Sequence, residues 1–520
     1  MPQLYDAIVI GAGHNGLVAA CYLARAGQRV LVVERYHTVG GAAITEEIHP
    51  GFRVSVASYS CSLLRPEIIS DLRLPDYGFA VYAKQPSYFM PFPDGQHLFL
   101  YADSRERSKA EIARFSQHDA AAYDRWEDFW DRVCDIIEPT LMQPPITLGQ
   151  LADRFDQAGL ADDFRRVILL STTDLLNEFF ESEYVKATMA PQSLIGTAGG
   201  PLTPGTPYVW LYHAIGRAIG ARGVWGYVRG GMGAITQALA AAARDLGVEI
   251  QTRAPVAEVI VEDRAAVGVA LENGDEYRAR AVLSNADPKR TFLGLCPHTA
   301  LPADFVTAID KHYRCAGPVY KLNLALHELP RYTSAPADIP PETLCRATVD
   351  IASTVAYLER AWDDCKHGQP SREPFIEIYT QSPTDPTMAP PGKHILSCFC
   401  QYAPYEPDGR SWDDGLREEF ADRVLAKLAE YAPNMRHAVI ARQMLSPVDL
   451  ERRFALTGGH IFHGEITPDQ SFNLRPMAGH ADYRTPLPGL YLCGSGAHPG
   501  GGVTGIPGHN AAKVVLDDLK

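Results

Sequence analysis

Apolar residues in this 520-residue chain follow two rhythms, one of short β-branched runs and one of helical spacing. Tyr5–Ile10 (YDAIVI) is a buried-strand pattern, Leu17–Ala26 is an Ala- and Leu-rich helix, and GQRVLVVE predicts a second strand ending at Glu34. Strand, helix and strand in such close succession open a parallel sheet. From Asp103 to Leu141 the apolar positions, as in AAYDRWEDFWDRVCDII, recur at helical spacing, and helical signals run on to Ala190. After a loop-rich GTAGGPLTPGTPY, GAITQALAAAARDLG predicts a helix closed by Gly247. Strands follow, with a hairpin turn at Asn273-Gly274. PVYKLNLAL, PFIEIYT and HILSCFCQY read as further strands between Pro-rich loops, with a helix at about 413–431 before AVIARQML. The chain closes on a strand (GLYLCG), a glycine-rich turn and a terminal helix.

This order predicts an α/β protein with one nucleotide-binding domain assembled from distant pieces, residues 1–72, 222–300 and 445–520. Residues 73–221 and 301–444 would form an α+β substrate domain inserted between them. At 46% hydrophobic and 21% charged, the composition is that of an ordinary folded protein. The net charge of −14, without a basic stripe or tail, argues against nucleic acid as a partner. None of the ten cysteines forms a C-x-x-C pair, and their scatter fits neither a zinc site nor a disulfide framework. Cys398 and Cys400 read as buried small hydrophobes on one strand, expected to face opposite sides. Only MPQL precedes the first strand, so no signal or transit peptide is expected, and no apolar run reaches the roughly 20 residues of a membrane span. A cytoplasmic setting follows as the expectation; peripheral membrane contact and oligomeric state stay open.

The chemistry begins at Gly11–Gly16, GAGHNG, which matches G-x-G-x-x-G between a strand and a helix. Gly11 permits the tight turn, Gly13 lets the backbone approach a pyrophosphate, and Gly16 lets helix and strand pack closely. The helix N-terminus offers free N–H groups and a positive dipole to phosphate. Glu34, eighteen residues past Gly16, is placed for a ribose 2′-hydroxyl and would repel a 2′-phosphate. Glu34-Arg35 followed by Gly40-Gly41 suits a cofactor that runs on past the first strand pair.

This E-R-x-x-x-x-G-G string resembles FAD enzymes of the phytoene desaturase and amine oxidase superfamily. So do GGMGAITQALAAAARDLGVEIQTRAPV and GLYLCGSGAHPGGG, in the same order. GGAAITEEIHPGF, LLRPEI, WGYVRGGMGA and GGHIFH narrow the likeness to the family of pyridine nucleotide-disulphide oxidoreductase domain-containing protein 2, whose animal members are mitochondrial. The resemblance implies a Rossmann-like FAD-binding domain of the amine oxidase and phytoene desaturase type, with FAD as cofactor. It implies that Gly11, Ala12, Gly13, Asn15, Gly16, Glu34, Arg35, Gly40 and Gly41 hold the cofactor, and that Ala42 and Ala43 are small enough for the chain to pass beneath the flavin. Val256 would meet adenine by its backbone, and LSNADP (283–288) would lie near the dinucleotide. Gly494 and Ser495 would approach the pyrophosphate and ribitol, with Ser495 standing where many relatives carry an acid. Gly501, Gly502, Val503 and Thr504 would set backbone against the isoalloxazine, under the positive end of the last helix.

A flavin accepts hydride at its own N5, so a catalytic acid or base is optional. The weak candidates are His460, His463 and His498, of which the motif places only His498 near the ring; no metal site is indicated. GGMGAI (230–235) lacks the third glycine and a preceding strand, so no NAD(P)H domain is expected. Aromatics at Tyr88, Phe89, Phe92, Trp126, Trp130, Phe179, Phe180, Tyr402 and Tyr405 are core residues or the wall of a tunnel for a lipophilic substrate. The expected function is oxidation or isomerisation of such a substrate. An amine or amino-acid oxidase, and a regulatory flavoprotein without catalysis, are the alternatives.

Overall fold

The computed structural model describes residues 4–520. Two seven-stranded sheets organise it. The first runs Val256–Glu262, Ala265–Leu271, Glu276–Ser284, Leu4–Ile10, Val30–Glu34 and Glu249–Thr252, with Leu490–Leu492 joining beside Glu276–Ser284. Its centre is parallel: Ile8 pairs with Val282 on one side and Leu31 on the other, and Leu283 pairs with Tyr491. Covered on both faces, the central strands are buried throughout their apolar runs. The helices His14–Arg25, Gly233–Asp245 and Ile506–Asp518 pack together against this sheet. The Asn273-Gly274 hairpin forms as expected, with Gly274 in the left-handed region. Phe305 and Ile309 of the Ala303–Lys311 helix belong to the same core.

The second sheet runs Val439–Leu445, Val319–Leu326, His394–Gln401, Phe375–Tyr379, Thr348–Ile351, Tyr88–Pro91 and His97–Leu100. Strand alternation gives it two faces of different chemistry. Tyr320, Leu322, Leu324, Ile376, Ile378, Cys398 and Cys400 pack with the Asp414–Tyr431 helix. Cys398 and Cys400 therefore share one face, correcting the expectation of opposite sides: residues two apart on a strand point the same way. Val319, Phe375 and Phe399 face the other way, toward a helical layer. That layer begins with Gln117–Leu141, whose Ser116 cap accepts from the Asp119 amide. Trp126 and Trp130 project from it into an aromatic cluster with Phe179, Phe180 and Trp210. A three-residue strand, Gly226–Val228, precedes Gly230, correcting the expectation that none does; it pairs with Val81–Ala83 in a separate ribbon rather than joining the first sheet.

Candidate active site

One cavity of about 950 Å³ runs between the two sheets. That is the upper end of the range spanned by ligand sites. One end is built by glycines. Gly13 and Gly40 form a parallel bridge, and the Gly40 amide donates to the Ala12 carbonyl at 2.9 Å, so the two glycine strings lie side by side. A Cβ at Gly16 would sit 2.2 Å from the Gly11 carbonyl oxygen, which accounts for that glycine by helix-on-strand packing. The His14–Arg25 helix starts without a side-chain cap, leaving its N-terminus for an anion.

Glu34 is buried, and its Oε2 accepts from the Ala12 amide at 2.7 Å while Oε1 accepts from Tyr36 at 2.8 Å. Burial pushes its carboxyl above the ordinary range, against the pull of those two amides. The Ala254 amide donates to the Glu34 carbonyl at 2.9 Å, which brings Val256 beside Glu34 although they are far apart in sequence. Gly11, Gly13, Asn15, Glu34, Arg35, Gly40–Ala43, Val256, Ser495, Gly502 and Val503 all line the cavity. Ala12, Gly16, Gly494 and Thr504 stand behind its wall. Gly494 packs on Asn285, and the Thr504 hydroxyl accepts from the Ile506 amide. The Arg35 guanidinium turns outward to the carbonyls of Arg452 and Arg453.

The terminal turn meets the first helix across almost the whole chain. Asn15 donates from Nδ2 to the Ser495 hydroxyl at 3.2 Å, while its Oδ1 is buried with no partner. Arg475 is fully buried and donates to five carbonyls, those of Phe462, Gly464, Glu465, Gln470 and Ser495. It clamps the turn from behind.

The three histidines separate. His460 holds Glu465 through Nε2 at 2.9 Å and accepts from the Phe462 amide, a structural latch away from the cavity. His498, the one favoured by motif, is buried behind the wall; the turn dips inward there, with Tyr212 and Tyr483 donating to the Pro499 and His498 carbonyls. His463 is the one on the cavity wall. His14, the fourth letter of GAGHNG, escaped the sequence reading; it also lines the cavity, at 3.1 Å from the Gly502 carbonyl oxygen. Burial lowers both His14 and His463 to about 4, so both are neutral at pH 7.

A bare cradle, an uncapped helix start and an unpartnered Asn15 oxygen fit a long dinucleotide. The comparisons with known proteins decide the family. The model of flavin containing amine oxidoreductases matches residues 16–512. The chain belongs to this family. It is an FAD-dependent oxidoreductase. This flavoprotein is 43% identical to pyridine nucleotide-disulfide oxidoreductase domain-containing protein 2 of Mus musculus, over 99% of this chain and 94% of that one. It is 28% identical to a lycopene-forming phytoene desaturase of a Paracoccus species, over 100% and 98%. Its fold matches that of a putrescine oxidase redesigned in its cofactor binding, with a TM-score of 0.62 at 17% identity, covering 99% of each chain. No helix among the described residues is long and apolar enough to cross a membrane.

The other end of the cavity lies against the second sheet. Tyr59, Tyr88, Glu377, Tyr379 and Phe399 line it, with Trp130 and Trp210 stacked 5.7 Å apart on the helical side. The sequence reading missed Glu377 and its neighbours. Their signal was a polar residue at alternate positions of an apolar strand, as in FIEIY and VYKLNLAL.

Proposed function

We propose that this flavoprotein oxidises a lipophilic small molecule, taking hydride from a C–H bond held in the aromatic end of the cavity. The observation that carries the reading is the continuity of that cavity from the glycine cradle to the Trp130–Trp210 pair. Bound FAD supplies a two-electron acceptor at one ring position. The chain holds and screens. Gly11, Ala12, Gly13, Asn15 and Gly16 receive the pyrophosphate, and Glu34 with Arg35 and Val256 frames the adenosine. Ala42 and Ala43, after Gly40 and Gly41, pass beneath the ring system; Ser495, Gly502 and Val503 close over it, and Gly494 and Thr504 back that turn from behind the wall. The cofactor domain is then residues 1–72, 222–300 and 445–520 together with the Ala303–Lys311 helix that packs in its core, and the substrate domain is 73–221 and the rest of 301–444. Neutral His14 and His463 flank the Gly502 turn without adding charge.

Kinship with a lycopene-forming desaturase supports an apolar substrate. Double-bond isomerisation uses the same contacts and would require reduced flavin without net consumption of reductant. An amine substrate is disfavoured by the aromatic faces: Lys84 lies 4.1 Å from the Tyr379 ring centroid and Lys321 4.1 Å from that of Tyr59, so the chain's own amino groups already occupy the cage. Ten unpaired thiols suit a reducing, cytoplasmic setting, with substrate drawn from a membrane surface.

The test is anaerobic. The purified yellow protein is mixed with a lipid extract, and the absorbance near ~450 nm is followed while the altered compound is identified. Bleaching with a compound that has lost two hydrogens is expected. A flavin that dithionite bleaches but no extract does would overturn the reading.

A further inference from the structure

Four strands of the second sheet set a row of polar side chains on the cavity face. Register places Lys321 opposite Phe399, Phe399 opposite Glu377, and Glu377 opposite Asp350. Lys321, Glu377 and Asp350 are each at most 2% exposed. Two carboxylates facing each other across a buried strand pair are destabilising unless one is protonated or a cation lies close. Lys84 completes the group: it donates to the Thr348 hydroxyl at 2.8 Å and lies over the rings of Tyr379 and Tyr227.

The hydrogen bonds leave particular atoms free. Tyr379 and Tyr59 both donate to Glu377 Oε1, at 2.7 and 3.0 Å. Among the described residues none donates to Glu377 Oε2, and Glu377 lies on the cavity wall. Asp350 accepts from the Tyr88 hydroxyl on Oδ2, and its Oδ1 is buried without a partner. The stretch that carries Tyr59 runs on to the Gly502 turn. Leu63 touches the space beside Gly502, at 2.7 Å from the position a Cβ would take there, and Tyr59 is four residues earlier on the same stretch. Four residues span at most about 14 Å.

We propose that Glu377 Oε2 is the proton acceptor of the oxidation and that the substrate is an alcohol on an apolar skeleton. This rests on the function proposed above. The carbinol C–H bond breaks with its electron pair passing to FAD, which is reduced. The O–H proton passes to Glu377 Oε2, and the C–O bond becomes a carbonyl. Glu377 is left as a neutral acid and returns its proton to water when the product leaves. A carboxylate takes the proton of a hydroxyl as hydride departs from the carbon that bears it. A charged substrate would meet a buried set of groups of both signs, Glu377 on the wall with Asp350, Lys84 and Lys321 behind it, whereas a hydroxyl brings no charge. Burial raises the Glu377 carboxyl, against the hydroxyls of Tyr379 and Tyr59 and the charges of Lys84 and Lys321, which poises it nearer neutrality. Asp350 is likewise raised, and burial brings Lys321 down to about 7.

The experiment uses the FAD-loaded protein under anaerobic stopped flow, with farnesol, farnesylamine and farnesene as matched probes, a cyclic terpene alcohol and a sterol beside them, and the lipid extract as reference. An alcohol should bleach the flavin and emerge as its aldehyde or ketone, while the amine and the hydrocarbon do not. Glu377→Gln should keep its FAD and lower the reduction rate by about 10²–10⁴-fold. It should also abolish the rise of rate with pH through the Glu377 ionisation, and Glu377→Asp should restore part of both. Tyr59→Phe, which leaves the carboxylate in place, should keep the pH rise with a displaced midpoint. Three results would overturn the proposal and leave the proposed function standing: wild-type rates in Glu377→Gln, bleaching by the hydrocarbon but by no alcohol, or an extract compound oxidised without loss of a hydroxyl hydrogen. No bleaching by any probe or extract would remove both.

Discussion

Replacing Gly508 by alanine tests whether two helices, pressed backbone to backbone, close the cofactor cradle. Gly508 lies in the Ile506–Asp518 helix where it crosses His14–Arg25. A Cβ there would fall 2.0 Å from the Asn15 carbonyl oxygen, 2.8 Å from its carbon and 3.1 Å from the Ala19 nitrogen. Ordinary contact begins at 3.4 Å, so the helices must part by about 1.4 Å. Every atom met is main chain, and no rotamer change can relieve it. Alanine gains about 1 kcal/mol over glycine inside a helix, and overpacking costs about 1–3 kcal/mol or more. Against rigid backbone the upper figure applies, for a net loss of about 2 kcal/mol. A parting of that size also breaks the 3.2 Å bond from Asn15 to Ser495, which ties the two turns together. FAD affinity should fall tenfold or more. The flavin-to-protein absorbance ratio after purification, calorimetric titration of the apoprotein with FAD, and thermal unfolding report these effects. Gly415→Ala is the control: it is exposed in the Asp414–Tyr431 helix, with only Asp413 Oδ1 near, at 3.4 Å. It should be stabilised by about 0.4–1 kcal/mol. If Gly508→Ala bound FAD with wild-type affinity and melted alongside Gly415→Ala, the reasoning about the cradle would be refuted.

Arg475→Met leaves five buried carbonyls short of a donor, at about 1–3 kcal/mol for each that water cannot reach. Soluble yield and FAD content should both collapse, and Arg475→Lys, lacking the planar fork, should recover little of either. Glu34→Gln cannot accept from both the Ala12 and Tyr36 amides, so FAD affinity by calorimetry should fall about tenfold while the melting temperature drops only slightly. Burial lowers His498 to about 4, below its unfolded value. The unfolded chain therefore binds the extra proton between about pH 6.5 and 4, and stability falls as pH falls through that window, by roughly 2 kcal/mol at pH 5. Denaturation midpoints for His498→Phe should show a shallower loss between pH 7 and 5, with the remainder including His14, His213 and His463, which shift the same way.

The nucleotide half was legible because its signals are local. A β-branched run, three glycines at fixed spacing and an acid at the end of the next strand are consequences of one turn and one helix start, and they need no distant partner to be recognised. The long helices from 105 to 189 were legible for the same reason. The strands Tyr88–Pro91, His97–Leu100 and Thr348–Ile351 were not, nor was the Thr45–Ser55 hairpin, because four or five residues carry too little periodicity to stand out. His498 was favoured over His463 because a motif gives proximity along the chain and not the direction in which a turn dips.

By itself, then, the amino-acid order determined the cofactor class, the cradle glycines and the alternation of Lys321, Glu377 and Phe399 along their own strands. Only the tertiary structure decided that Lys321, Glu377 and Asp350 stand in one row and that Tyr59 reaches it from 318 residues away. Registry between strands is set by the packing of the whole sheet, with Leu322, Ile376 and Cys398 buried under one helix. That packing exists only when segments from 88 to 445 have come together.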